Sequence, residues 1–166
     1  ETAEMPGMYG DDFDLVGVIN GIVEKDKIIT GQKIRPGHVA VGLASNGLHT
    51  NGYSLARKIL FADNKHKVDE RIDELGGTLG DALLKPHTCY WPAIKKAMDA
   101  GLALDGIAHI TGGGLYDNTP RVLPADVDVI FRKDALPVPP IFKLIVREGD
   151  VCDEEAYRVF NMGVGM

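Results

Sequence analysis

Between Ser45 and Ser54 the chain reads Ser-Asn-Gly-Leu-His-Thr-Asn-Gly-Tyr-Ser, two Asn-Gly pairs set around one histidine. The stretch leads from the apolar run His38 to Ala44 into Tyr53 to Ala62, where Leu55, Ile59 and Leu60 share one helical face. A glycine-rich loop between strand and helix leaves N–H groups free at the positive end of the helix, where an anion can be bound. Ser45, Thr50, Asn51 and Ser54 add side-chain donors, and His49 adds a donor or a proton relay near pH 7. The competing reading is structural: Thr50 or Asn51 caps the helix and His49 fills the loop.

A second cluster, His109-Ile110-Thr111-Gly112-Gly113-Gly114, again stands between an apolar run and a helix. Three successive glycines cost conformational entropy, which points either to close backbone approach to a ligand or to an unusual turn. The pattern is neither the dinucleotide fingerprint nor the Lys-containing phosphate loop. His109, alternating with Ile107, could equally be a hydrogen-bonded core histidine. Two such loops at strand ends match the place where open α/β sheets collect ligands. A third group is acidic. Glu1 and Glu4, with Thr2 between them, are hard-oxygen candidates for Mg²⁺ held together with a substrate phosphate, whereas Asp11, Asp12 and Asp14 read as a solvated loop.

The elements that must position these residues follow from pattern. Leu15 to Val23, His38 to Ala44, Ile107 to Ile110, Asp128 to Phe131 and the closing Gly-Val-Gly-Met read as strands, the first buried or half-buried. Helices are expected at Tyr53 to Ala62, Thr78 to Leu84, Tyr90 to Ala100, Leu115 to Val122 with disruption by Pro120, Pro139 to Glu148, and Asp153 to Phe160 with Asp153 as cap. Trp91, Ile94 and Met98 should face the core, and Gly101 should end their helix. Asp63 to Gly77 reads as a charged, mobile connection, and the turn Arg35-Pro36-Gly37 as a candidate domain boundary. Strands alternating with helices give an α/β domain.

Composition narrows the function classes. In 166 residues, 18 Lys and Arg against 24 Asp and Glu leave a charge of −6, which argues against nucleic acid as partner. No apolar run approaches the ~18 residues of a membrane span, and no leader pattern opens the chain, so a soluble, cytoplasmic protein without a membrane partner is expected. Cys89 and Cys152 are too isolated for a disulfide framework or a zinc site and read as packed, reduced thiols.

Five ordered blocks then carry a resemblance: ETAEMPGMY at 1–9, VEK at 23–25, GLHTNGYSLARKIL at 47–60, HITGGGLYDNTPRVLP at 109–124 and YRVFNMGVGM at 157–166. The chain resembles the phosphoribosylformylglycinamidine cyclo-ligases, the aminoimidazole ribonucleotide synthetases of purine biosynthesis. That resemblance implies a two-domain α/β homodimer pairing through its N-terminal domains. Residues 1–27 would close the N-terminal ATP-binding domain with its last strand, and 28–166 would be most of the C-terminal α/β synthetase domain, stopping short of its end. It also implies ATP and Mg²⁺ as cofactors and a small nucleotide substrate, cyclised with release of ADP and phosphate. Ser45, Gly47, His49, Thr50, Asn51, Gly52 and Tyr53 match the family's first loop, assigned to phosphate or substrate with His49 as catalytic residue. Thr111, Gly112, Gly113 and Gly114 match its glycine loop, assigned to phosphate approach. Since the family's ATP-binding segments lie upstream, the chain alone is expected to be inactive. The rival readings are another ATP-dependent enzyme on this scaffold, such as the hydrogenase maturation factor, and a silent dimerisation or binding domain.

Overall fold

The computed structural model describes residues 17–166, so Glu1, Glu4 and the rest of the N-terminal acidic group, Asp11, Asp12 and Asp14, lie outside the described residues. Helices dominate and form where the local signals are strongest. Helix α1 (Tyr53–Arg57) runs directly into a π-helical turn, Lys58–Asp63, and this continuous segment buries Ala56, Ile59 and Leu60. Helix α2 (Leu79–Leu83) begins at a capping box in which Thr78 and Asp81 satisfy each other's backbone amides. Helix α3 (Trp91–Asp99) ends as expected at Gly101, whose N–H reaches the Met98 carbonyl while Leu102 N–H reaches that of Ala97. Helix α4 (Gly114–Asn118) becomes a 3₁₀ turn, Thr119–Val122, where Pro120 removes a donor.

Helix α5 (Pro140–Gly149) supplies the centre of the core, with Ile141, Phe142, Leu144 and Ile145 buried at i, i+1, i+3 and i+4. Helix α6 (Asp153–Val159) brings Phe160 against Phe142, ring centroids 5.7 Å apart. Its N-cap is Cys152 rather than the expected Asp153, which lies one residue inside and pairs with Lys133 instead.

The expected connection 63–77 is ordered. It contains a short antiparallel pair, β1 (Arg71–Ile72) with β2 (Gly77–Thr78), closed through Gly76 in the left-handed region. His66 bridges Glu70 at 3.0 Å and Glu148 at 2.7 Å, tying this hairpin to the end of α5.

The expected strands are realised only where a neighbour supplies partners. Around the Ala44–Val164 bridge Ser45 N–H donates to the Gly163 carbonyl, Leu43 N–H donates to that of Met166, the Leu43 carbonyl accepts the Gly165 N–H, and Ile110 N–H donates to the Gly165 carbonyl. Residues 17–23, 39–42, 107–109 and 128–131 carry no ladder among the described residues. Val18, Ile19, Ile22, Val39, Val41 and Ile130 are exposed, which corrects the expectation of burial for 15–23 over its described part. Trp91 and Met98 are also exposed, so only Ile94 of that trio turns inward, half-buried. Cys89 and Cys152 are exposed free thiols rather than packed ones. No helix among the described residues is long and apolar enough to cross a membrane.

Candidate functional site

The three-way meeting of segments 43–45, 163–166 and 110 delivers both glycine-rich loops to one place, because each loop leaves directly from this junction. Asn51 joins them: its Oδ1 accepts the Gly112 N–H at 3.0 Å while its Nδ2 donates to the His49 carbonyl at 2.7 Å. The loops therefore converge.

The first loop is held from within. Asn161, buried to 1 % exposure, accepts the Ser45 hydroxyl at 2.6 Å and the Gly163 N–H at 2.9 Å, and donates to the Gly47 carbonyl at 2.8 Å. Ser45 thus points inward, and Tyr53, whose hydroxyl donates to the Leu83 carbonyl, ties the start of α1 to the end of α2. Neither hydroxyl is turned to a ligand. Gly52, at φ 75°, starts α1, while Gly47 is buried. Thr50 is exposed, and its hydroxyl donates to the His49 carbonyl. His49 and Thr50 both adopt left-handed backbone, at φ 50° and 61°, a conformation costly for a β-branched residue and held here by surrounding bonds.

His49 is 2 % exposed. Its Nε2 lies 2.6 Å from Asn46 Oδ1, and the backbone amides of Asn46 and Thr88 point at the same nitrogen at 3.3 and 3.4 Å. Nδ1 is buried and meets no hydrogen-bond partner among the described residues. A Cβ on Gly165 would come within 2.9 Å of this atom and 2.2 Å of the Tyr90 hydroxyl, so the close approach requires glycine. One face of the ring stacks on His87, centroids 4.1 Å apart, and His87 leads on to His109 at 5.4 Å. Burial, then the neighbouring His87 and His109, lower the His49 pKa to about 4. The ring is therefore neutral at pH 7. Burial and His109 also lower His87.

In the glycine loop Thr111 and Gly114 are buried, Gly112 is exposed and Gly113 is half-buried. Gly114, at φ 58°, lies so close to α6 that a Cβ would sit 1.9 Å from the Tyr157 carbonyl oxygen. Gly112 N–H is taken by Asn51 and Gly114 N–H by the Thr111 carbonyl, whereas Gly113 N–H meets no acceptor among the described residues. Beside the loop lies an open hollow of about 210 Å³, lined in part by His109, Thr111, Asn118 and Arg121. His109 is exposed rather than a core residue. Among the described residues no three His, Cys, Asp or Glu side chains converge to hold a metal.

Sequence reasoning missed four residues of this site: His87, Tyr90, Asn118 and Asn161. Asn118 and Asn161 are the buried amides on which the loops are folded, and their burial shows only once α4 and α6 are packed.

Comparison with known proteins fits this geometry. Residues 35–166 match the family described as AIR synthase related protein, C-terminal domain. The phosphoribosylformylglycinamidine cyclo-ligase of Alkaliphilus oremlandii is 46% identical over 167 residues, covering 100% of this chain and 49% of that protein. The enzyme of the same name from Desulfotalea psychrophila is 48% identical over all of this chain and 47% of its own length. That of Geobacillus thermodenitrificans is 46% identical over 48% of its length. The chain spans about half the length of these curated relatives. With both signature loops in place and this match over most of its length, the chain belongs to the AIR synthase related family, whose C-terminal domain it carries.

Proposed function

We propose that the full-length protein containing this chain is an ATP-dependent cyclo-ligase that converts formylglycinamidine ribonucleotide to aminoimidazole ribonucleotide. The formyl oxygen takes the γ-phosphoryl group of ATP, giving ADP. The amidine-side nitrogen attacks the activated carbon, the C–O bond breaks with departure of inorganic phosphate, and a proton is lost as the imidazole ring forms. Both substrates carry phosphate, and such phosphoryl chemistry depends on positioning and charge neutralisation more than on covalent help from protein. Backbone donors at the converging loops suit that task, and the neutral His49 ring holds the shape of the first loop. Mg²⁺ is proposed only as the companion of the ATP phosphates, and no described residue is assigned to it. A homodimer formed through the part of the protein preceding residue 28, and a cytoplasmic location, belong to the same reading.

The observation that carries this reading is the Asn51 bridge between the two loops. Phosphate release from ATP, dependent on the amidine ribonucleotide and followed in the full-length protein, tests it. Asn51→Ala is expected to lower kcat/KM by roughly 10- to 100-fold, the scale of one lost orienting hydrogen bond of ~1.5–3 kcal/mol. Turnover unaffected by the substitution, or phosphate release independent of the amidine, would overturn the assignment.

A further inference from the structure

Residues 85–89 lie between α2 and α3 and make no backbone–backbone hydrogen bond among the described residues. What holds this strap is its contact with two residues of the first loop. Asn46 Nδ2 donates to the Pro86 carbonyl at 3.0 Å, and the Thr88 N–H points at His49 Nε2 at 3.4 Å. Between them the exposed His87 ring lies on His49, with centroids 4.1 Å apart and planes inclined by 21°. Two of the three attachments therefore fall on a single imidazole. Tyr90 closes the strap, its hydroxyl donating to the Ala44 carbonyl at 2.9 Å.

While the stack is closed, that imidazole cannot take a second ring proton without loss. Whichever nitrogen bears the hydrogen of the neutral ring, the imidazolium carries an Nδ1–H buried without an acceptor, and its Nε2 no longer accepts from the Asn46 and Thr88 amides. Nothing nearby compensates the charge. The first loop brings no titratable group but His49 itself; the strap and its end bring Lys85, His87, Cys89 and Tyr90; the run before the glycine loop brings His109; and 163–166 brings none. His49 feels the charges of His87 and His109, His87 feels that of His109, and no carboxylate acts on either ring among the described residues. Once the strap lifts, water supplies both ring nitrogens with partners, so the open form binds a proton that the closed form refuses.

We propose that the His49–His87 stack is a proton-operated latch: proton uptake at His49 parts the two rings, releases strap 85–89 from the first loop and opens that loop to water. The latch is a property of the fold and holds whatever ligand the loop takes. Its direction follows from linkage, since the form that binds more protons gains population as pH falls. A ring that titrates near 6.5 in water and near 4 in the closed stack raises the open-to-closed ratio roughly tenfold between about pH 7.5 and about pH 5.5.

Amide hydrogen exchange of the ligand-free, full-length protein, read by mass spectrometry and corrected for the intrinsic pH dependence of exchange, tests the latch without any assay of turnover. Peptides spanning 44–52 and 84–91 are expected to lose roughly tenfold in protection between about pH 7.5 and about pH 5.5, while peptides from α5 keep theirs. His49→Phe keeps a flat ring under His87 but takes no proton, and is expected to hold the protection of both segments within about twofold across the same range. His87→Ala removes the upper ring and should already lower protection of 84–91 at about pH 7.5, because the strap then loses its stacking contact. Protection that does not change with pH in the wild type, an equal loss in α5, an unchanged acid response in His49→Phe, or full protection in His87→Ala would each overturn the inference. Should His49→Phe fail to fold, His49→Gln, which keeps a hydrogen-bonding group but likewise takes no proton, is read the same way.

Discussion

At His49 the cost of burial is visible as a titration. The unfolded chain takes up a proton on this residue near pH 6.5, the folded chain only near pH 4. Between those values the unfolded form binds protons that the folded form refuses, so the stability contribution is complete above pH 6.5 and is lost as pH falls toward 4. The full loss is about 3 kcal/mol, with His87 adding in the same direction. Urea unfolding at stepped pH should show this acid limb, and His49→Asn should flatten it. A limb of unchanged slope would place the titrating groups elsewhere. Thr50 and His49 also explain why the loop resisted a purely local reading. Sequence types announced a donor-rich bend, but a buried partner that holds it lies far outside the Asn-Gly pattern: Asn161 accepts the Ser45 hydroxyl and donates to the Gly47 carbonyl.

Elements that depend on local signals were legible, and those that depend on distant partners were not. The capping box at Thr78, the Gly101 terminus of α3 and the proline start of α5 are each encoded within a few residues. Thr78→Ala should accordingly cost about 1 kcal/mol in thermal or urea unfolding. Strands are different, because an extended run becomes a ladder only when a neighbour faces it, and 39–42 and 128–131 lack one among the described residues. The same limit hid the two buried asparagines: Asn161 meets Ser45 across 116 positions, and Asn118 looks like an ordinary helix-end residue until its carbonyl partners fold over it. The 63–77 connection was misjudged through its charge. Burial lowers the pKa of His66, but hydrogen bonds to Glu70 and Glu148 outweigh it and raise the net value. That contribution is fully present below pH 6.5 and disappears as pH rises through the folded value. His66→Gln should remove this alkaline loss of stability, opposite in sign to the His49 effect and separable from it in the same titration.

For the molecule as a whole, the core gathered around α5 and α6 and the loop junction are self-contained, while apolar residues on the unladdered segments are not. Val39 and Val41, spaced by two, present one side of an extended run to water, and Ile130 is bare on another. Apolar rows of this kind ordinarily mark contact with further protein. A bare, valine-lined edge with open backbone groups is also a template on which a second chain can zip itself. The 166-residue piece expressed by itself is therefore expected to grow into oligomers with rising concentration in light scattering, and Val41→Lys should hold it monodisperse by planting a charge in the middle of that edge.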